Sequence, residues 1–183
     1  MNNLKWCQYT YIHRKAFEYC VNKLITEPAL REEMLRRAEI HDVDKMIMYL
    51  FLDQKKAQQL HIQLQPHHLE NNLPRTYEDL VETVIDYESA PYTKPDKPLN
   101  AYDFVKLLVG WEALDQDMGD ELTGIMHELG IDRSGTASED TEGMQYIASI
   151  GEITEEMITE EILRYANKIS EEELERIIEL CKS

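Results

Sequence analysis

Segment 41–45 reads His-Asp-Val-Asp-Lys and leads directly into an apolar run that ends at Leu52. A His beside an Asp at the start of a buried segment is costly, because a buried imidazole needs a hydrogen bond and a buried carboxylate needs a cation. A bound metal ion would neutralise the carboxylate while the imidazole supplies a second ligand. We therefore predict a metal site here, held rigidly at the start of a central, buried helix.

Further candidate ligands lie on both sides of this segment. His13 precedes it, on the apolar face of a predicted helix, whereas His67, His68 and Asp86 follow it. Imidazole suits zinc, iron and nickel, and carboxylate suits the harder magnesium and manganese. We therefore expect one or two divalent ions per chain, chosen from Mn, Fe, Ni, Zn and Mg.

The alternatives to metal binding are ordinary structural roles. They are a hydrogen-bonded core histidine at His13, a helix cap at Asp42, a solvated Lys45, a solvated loop pair at His67 and His68, and a surface ion pair at Asp86. Capping stabilises a helix start but does not explain the adjacent histidine. The two remaining histidines, His61 and His127, have no partners at motif spacings and are left out of the predicted site.

The hydrophobic periodicity predicts an all-α chain, since helical spacing recurs throughout and no segment alternates like a strand. Pro28, Thr76, Asn100 and Thr154 stand where helices should begin. Helices are predicted over 3–25, 28–37, 41–52, 77–90, 101–117, 121–129, 139–150, 155–168 and 171–181, with a short helix and a loop within 53–65. Trp111 is expected in the core.

Charge divides the chain of 183 residues unevenly. Residues 1–100 carry 13 basic and 15 acidic side chains, a net −2, whereas residues 101–183 carry 6 and 21, a net −15. We predict a metal-binding helical domain over 1–118 and an acidic helical extension over 119–183. An acidic surface opposes binding to a nucleic-acid backbone.

The remaining composition favours a cytoplasmic protein. No apolar run approaches the ~18 residues of a membrane span, the N-terminus lacks a signal-like apolar core, and three scattered cysteines predict reduced thiols. An apolar stripe within 154–181 is more typical of core, although it could also be the seam of a homo-oligomer.

The order of these residues, H…HDxxK…HH…D, resembles the HD-domain superfamily of metal-dependent phosphohydrolases, and most of all a branch of unknown function. The resemblance covers about residues 10–110. It implies a helical bundle in which one metal is bound by His13, His41, Asp42 and Asp86. A second metal would be bound by His67 or His68, with Asp42 bridging, and Lys45 would face the substrate phosphate.

Two features depart from that pattern. Asp44 replaces a small residue that is common before the lysine, and we expect this to weaken anion binding there. The interval from His68 to Asp86 is short for the superfamily, which favours the first metal over the second.

The resemblance implies a phosphohydrolase that acts on a nucleotide or other small phosphoester through a metal-activated water. Asp42 and Lys45 would be catalytic, a histidine at 67 or 68 could instead be a general acid, and Arg14 and Arg75 could contact phosphate. Two alternatives remain open: a di-iron oxygenase on the same scaffold, and a non-enzymatic helical module whose acidic region 119–183 binds a partner.

Overall fold

The computed structural model describes residues 3–94, 99–135 and 137–182. These residues form ten α-helices and two short 3-10 helices, with no strand among them, so the predicted all-α class is confirmed. The α-helices are α1 (Leu4–Leu24), α2 (Pro28–Ala38), α3 (Val43–Met48), α4 (Gln54–Leu64), α5 (Tyr77–Ser89), α6 (Ala101–Gly110), α7 (Gln116–Glu128), α8 (Thr141–Ser149), α9 (Glu155–Ala166) and α10 (Glu171–Lys182). The 3-10 helices are Ala90–Tyr92 and Ala137–Glu139.

Helix α1 contributes side chains to two hydrophobic cores. Phe17 and Val21 enter a core built mainly with α2, α5, α6 and α7, whereas Cys7 enters a second core built mainly with α3, α4, α9 and α10. His13 is buried between these two groups on the same helix. The long first helix therefore brings a polar side chain to the centre of the molecule, as its sequence predicts.

Short polar residues start several helices at the positions predicted for them. The Thr76 hydroxyl accepts from the backbone N–H of Asp79, and the Asp79 carboxylate accepts in return from the Thr76 N–H. Asn100 and Thr154 each accept from the N–H three residues ahead. Such caps satisfy backbone donors that a helix start leaves free, so they fix where each helix begins.

Helix α3 is shorter than predicted. All six of its residues are buried, in keeping with a central helix, but it ends at Met48 rather than at 52. Leu50 and Phe51 are 47% and 52% exposed. The apolar run thus extends beyond the end of the helix, and the last residues of the run lie in a turn at the surface.

The predicted helix over 101–117 is also interrupted. Helix α6 ends at Gly110, Glu112 has a left-handed backbone (φ 57°), and Asp115 caps the start of α7. Trp111 is 67% exposed, so its predicted core position is wrong. Helix α6 therefore ends one residue before the tryptophan, which lies in the turn that follows.

The described helices after residue 119 pack against the first half of the chain. Helix α7 contacts α5, α8 contacts α1, and both α9 and α10 contact α3. A buried ion pair joins Arg14 of α1 to Glu161 of α9. The division of the chain at residue 118 remains a prediction. Within the described ranges, every helix is too short or too polar to cross a membrane.

Asp140 joins the acidic half to α1 and the segment after α5. Its carboxylate accepts from the hydroxyls of Tyr19 (2.9 Å) and Tyr92 (2.6 Å) and pairs with Lys23 (2.6 Å). Burial would raise the pKa of Asp140, but Lys23 and the two hydroxyls lower it to about 2. The ionised carboxylate is therefore the form that stabilises this junction.

We expect Asp140→Asn to lower the free energy of unfolding by about 1–2 kcal/mol at pH 7, because one charged acceptor serves three donors. The pKa of Asp140 is about 2 in the folded chain and ordinarily 3.8, so its contribution is present above pH 3.8 and is lost as pH falls towards 2. Urea unfolding measures the difference, with the exposed Glu152→Gln as control. Equal stability of the two variants would contradict this role.

Candidate metal centre

The His41-Asp42 pair lies in a tight turn between α2 and α3. The His41 N–H donates to the Arg37 carbonyl, and the Asp42 backbone is left-handed, with φ 62° and ψ 3°. Such a backbone costs a non-glycine residue on the order of 1–3 kcal/mol, although Asp tolerates it better than most. Asp42 occupies the N-cap position of α3, yet its side chain makes no cap hydrogen bond. The capping alternative is therefore wrong, and the carboxylate serves other contacts.

The Asp42 carboxylate lies between a cation and an imidazole. Its Oδ2 accepts from Lys45 Nζ at 2.7 Å. Its Oδ1 lies 2.9 Å from Nε2 of His61, although neither atom is engaged in a well-formed hydrogen bond. Burial would raise the pKa of Asp42, yet Lys45, His41 and His61 hold it well below its ordinary value. Asp42 is therefore a buried, ionised carboxylate.

The six predicted ligands come together in overlapping groups that could hold a metal ion. In each group the candidate ligand atoms lie within 4.8 Å of one another. The groups are His13 with His41 and Asp42; His41 with His67 and Asp86; and Asp42 with His61, His67 and His68. Asp86 also accepts from His13 Nε2 at 2.7 Å. The solvated-loop and surface-pair alternatives do not hold, because His67 and His68 are buried and Asp86 contacts a buried histidine.

Unpaired polar atoms are concentrated in this cluster. Of seven buried side-chain nitrogen and oxygen atoms that lack a hydrogen-bond partner in the described part of the chain, six belong to it. They are His13 Nδ1, His41 Nε2, Asp42 Oδ1, His61 Nε2, His67 Nε2 and His68 Nε2. Each such atom costs about 1–3 kcal/mol if it stays unpaired. A divalent cation would satisfy several of these lone pairs at once, so the residues fit a metal.

Glu82 orients two of the histidines from α5. Its Oε1 accepts from His41 Nδ1 at 2.9 Å and lies 3.3 Å from His67 Nδ1, while its Oε2 accepts from Arg37 at 2.8 Å. Burial would raise the pKa of Glu82, but His41, His67 and Arg37 lower it to about 2. Metal-binding histidines commonly donate their second N–H to a carboxylate, which fixes the ring and its tautomer.

Asp44 performs the same task for His61. Its two oxygens lie 2.8 and 2.9 Å from His61 Nδ1, and Gln65 donates to the same carboxylate at 3.0 Å. The residue that departs from the expected motif is thus the one that aims His61 at Asp42. Lys45 is buried as well, which excludes the solvated alternative for it.

His61 and Glu82 are absent from the sequence-based site, although weak signals for both exist. His61 follows Ala57 by four residues, and this spacing places it on the buried face of α4. Glu82 precedes Asp86 by four residues, which puts both carboxylates on one side of α5. Neither signal is specific without the fold.

The segment that carries His67 and His68 is held by hydrogen bonds to its backbone. The Arg75 guanidinium donates to the carbonyls of Pro66, His68, Asn71 and Leu73, and Thr83 Oγ1 donates to the His67 carbonyl. Arg75 therefore positions the histidines and is occupied within the loop rather than turned to a phosphate.

Arg14, the other predicted phosphate contact, is likewise occupied. It pairs with Glu161 and donates to the carbonyls of Ala38 and Glu39. Its contacts close the junction between α1, α2 and α9.

The histidines differ in protonation. Burial lowers the pKa of His67 to about 4 and that of His68 to about 2, so both are neutral at pH 7. Burial acts the same way on His41, but Asp42, Asp86 and Glu82 raise its pKa to about 10. Only a neutral imidazole binds a metal, so binding at His41 would release a proton.

Comparisons with known proteins bring no further information on the site. No family model, no curated protein and no solved structure matches the chain. Membership of the HD superfamily rests on the motif order alone and stays a prediction.

We expect His61→Gln to lower the metal content by about one ion per chain, because it removes a nitrogen from the group around His67 and His68. Asp44→Asn should keep the metal site but weaken its affinity about 10–100-fold, since it affects only the orientation of His61. Elemental analysis and competition with a chelator measure both effects.

His127→Gln is the matched control, because the His127 side chain is exposed and pairs with Asp132. Equal metal content in His61→Gln and His127→Gln would contradict the assignment of His61.

Proposed function

We propose that the chain is a metal-dependent phosphohydrolase that acts on a small phosphoester. The observation that carries the proposal is the sharing of the buried Asp42 carboxylate by two groups of imidazole and carboxylate ligands, with the Lys45 ammonium 2.7 Å away. Pairs of metal ions that share a carboxylate ligand are typical of hydrolases that cleave phosphoesters. A buried lysine beside them supplies the positive charge that a phosphoryl group requires.

The residues that would hold the first ion are His13, His41, Asp42 and Asp86. Asp42, with His61, His67 and His68, would hold a second. Bound divalent metal lowers the pKa of a water and polarises a phosphoryl oxygen. The buried position of the ligands excludes bulk water, so the charges around the substrate are weakly screened.

Lys45 would stabilise negative charge on the phosphoryl oxygens. Burial alone would lower the pKa of Lys45, but Asp42 and Asp86 raise it, so the side chain stays cationic. The low pKa values of His67 and His68 favour a ligand role over a general-acid role, because each is already deprotonated at neutral pH.

A di-iron oxygenase is the second candidate. One observation favours it: three imidazoles accompany a single carboxylate in the group around His61, and imidazole-rich sites suit iron. The two functions separate by metal and by oxygen use. The oxygenase would contain iron and consume oxygen with its substrate, whereas the hydrolase would release phosphate without oxygen.

The test is phosphate release by tag-free protein reconstituted with Mn, Fe(II), Ni or Zn, with p-nitrophenyl phosphate and nucleoside monophosphates as probes. We expect turnover with at least one metal under nitrogen. Protein that holds its full metal complement but releases no phosphate under nitrogen would contradict the hydrolase, and oxygen consumption by the iron form would select the alternative.

We expect Lys45→Met to lower kcat about 10²-fold or more while the metal content is unchanged, because it removes a preorganised charge near the phosphoryl group. Lys55→Met is the matched control, since Lys55 is exposed on α4. Steady-state kinetics beside elemental analysis measures the effect. If both variants retain wild-type kcat, Lys45 has no part in the reaction.

A further inference from the structure

An apolar cavity of about 590 Å³ adjoins the metal centre. Two ligand candidates, His68 and Asp86, form part of its wall. Its size lies in the range of about 300–1,000 Å³ typical of pockets for small ligands. A molecule that reaches the centre past these two residues would therefore place its remaining atoms in this cavity.

The wall opposite the centre comes mainly from α6 and the turn that follows it. Phe104, Leu107 and Leu108 lie there together with Trp111 and Leu114. Phe104 packs edge-to-face on Tyr87, with ring centroids 4.7 Å apart. Trp111, still 67% exposed, presents a large aromatic surface that the fold itself does not bury. A large aromatic side chain left exposed beside other apolar residues is typical of ligand-binding sites.

The polar groups of the cavity are few, and three of them are charged. Apart from the Tyr87 phenol, the polar lining side chains are His68, Asp86, Glu70 and Lys94, and the described lining contains no Ser, Thr, Asn or Gln. Ribose hydroxyls and base edges pair with hydroxyl, amide and carboxylate side chains, and of these the described lining offers only the Tyr87 phenol, Glu70 and Asp86. The wall therefore offers apolar contact and little hydrogen bonding to the group it covers.

We propose that this cavity binds the alkyl or aryl part of an amphipathic phosphomonoester, with the phosphate at the metal centre. This inference rests on the proposed phosphohydrolase function and selects among its substrates. It favours a phosphate ester of an apolar alcohol over a nucleotide. His68 both lines the cavity and belongs to a candidate ligand group, so it connects the apolar wall to the site proposed for the polar head.

The test uses phosphonates, which resist hydrolysis, so that binding is measured apart from turnover. Titration calorimetry of metal-loaded protein compares methyl-, butyl- and octylphosphonate, with adenosine monophosphate as a fourth probe. We expect affinity to rise up to about fourfold for each added methylene until the cavity is filled. Butylphosphonate should also bind more tightly than the nucleotide.

Leu107→Gln should flatten this dependence, because it places an amide in the apolar wall. The matched control is Leu163→Gln on α9, at a leucine that is 58% exposed and remote from the cavity lining. It should retain the wild-type dependence. Circular dichroism and the metal content confirm that each variant is folded and loaded.

The outcomes separate the two proposals. Affinity that is independent of chain length, or tighter binding of the nucleotide, overturns the amphipathic substrate while phosphate release can still support the hydrolase. Chain-length dependence without phosphate release removes the hydrolase and retains the apolar specificity of the cavity. Leu107→Gln could instead change the molar mass of the protein in solution while phosphonate affinity stays independent of alkyl length. In that case the wall is an interface between copies of the protein, and the inference fails.

Discussion

The buried carboxylate of Asp42 is the group on which the arrangement of the site depends. It lies 2.7 Å from Lys45 Nζ and 2.9 Å from His61 Nε2, and it belongs to two of the three overlapping ligand groups. A lone ionised carboxylate in such a position would cost several kcal/mol. Lysine and imidazoles offset part of that cost, and the oxygen left without a hydrogen bond faces nitrogens that are also unpaired. A cation among them would complete the balance.

The helices that surround this cluster each position one or two of its candidate ligands. Helix α1 carries His13, α4 carries His61, and α5 carries Asp86, so the ligands come from elements already anchored in the two cores. A second layer then fixes the rings, with Glu82 and Asp44 as acceptors for the imidazole N–H groups. Rigid support of this kind is what metal sites require, because ligands must hold their geometry without the ion to organise them.

The sequence predicts those parts of the structure that depend on local chemistry. Caps at Thr76 and Asn100, and the proline that opens α2, define helix starts correctly, because they act within one turn. The ligands expected from the motif order also come together. Features that depend on packing are missed. Among them are the exposure of Trp111, which follows from the end of α6 at Gly110, and the inclusion of His61, which follows from how α4 lies against Asp42.

The most direct test of this account is the metal content of tag-free protein, wild type beside Asp42→Asn, after reconstitution and removal of loose ions. The variant keeps the shape of the side chain and removes its charge. Asp117→Asn, at an exposed position, is the control. We predict about two ions per chain in wild type and control, and none in Asp42→Asn, because the two proposed ion sites share this carboxylate. Equal retention in all three proteins, or a wild type that binds no metal, would contradict the account.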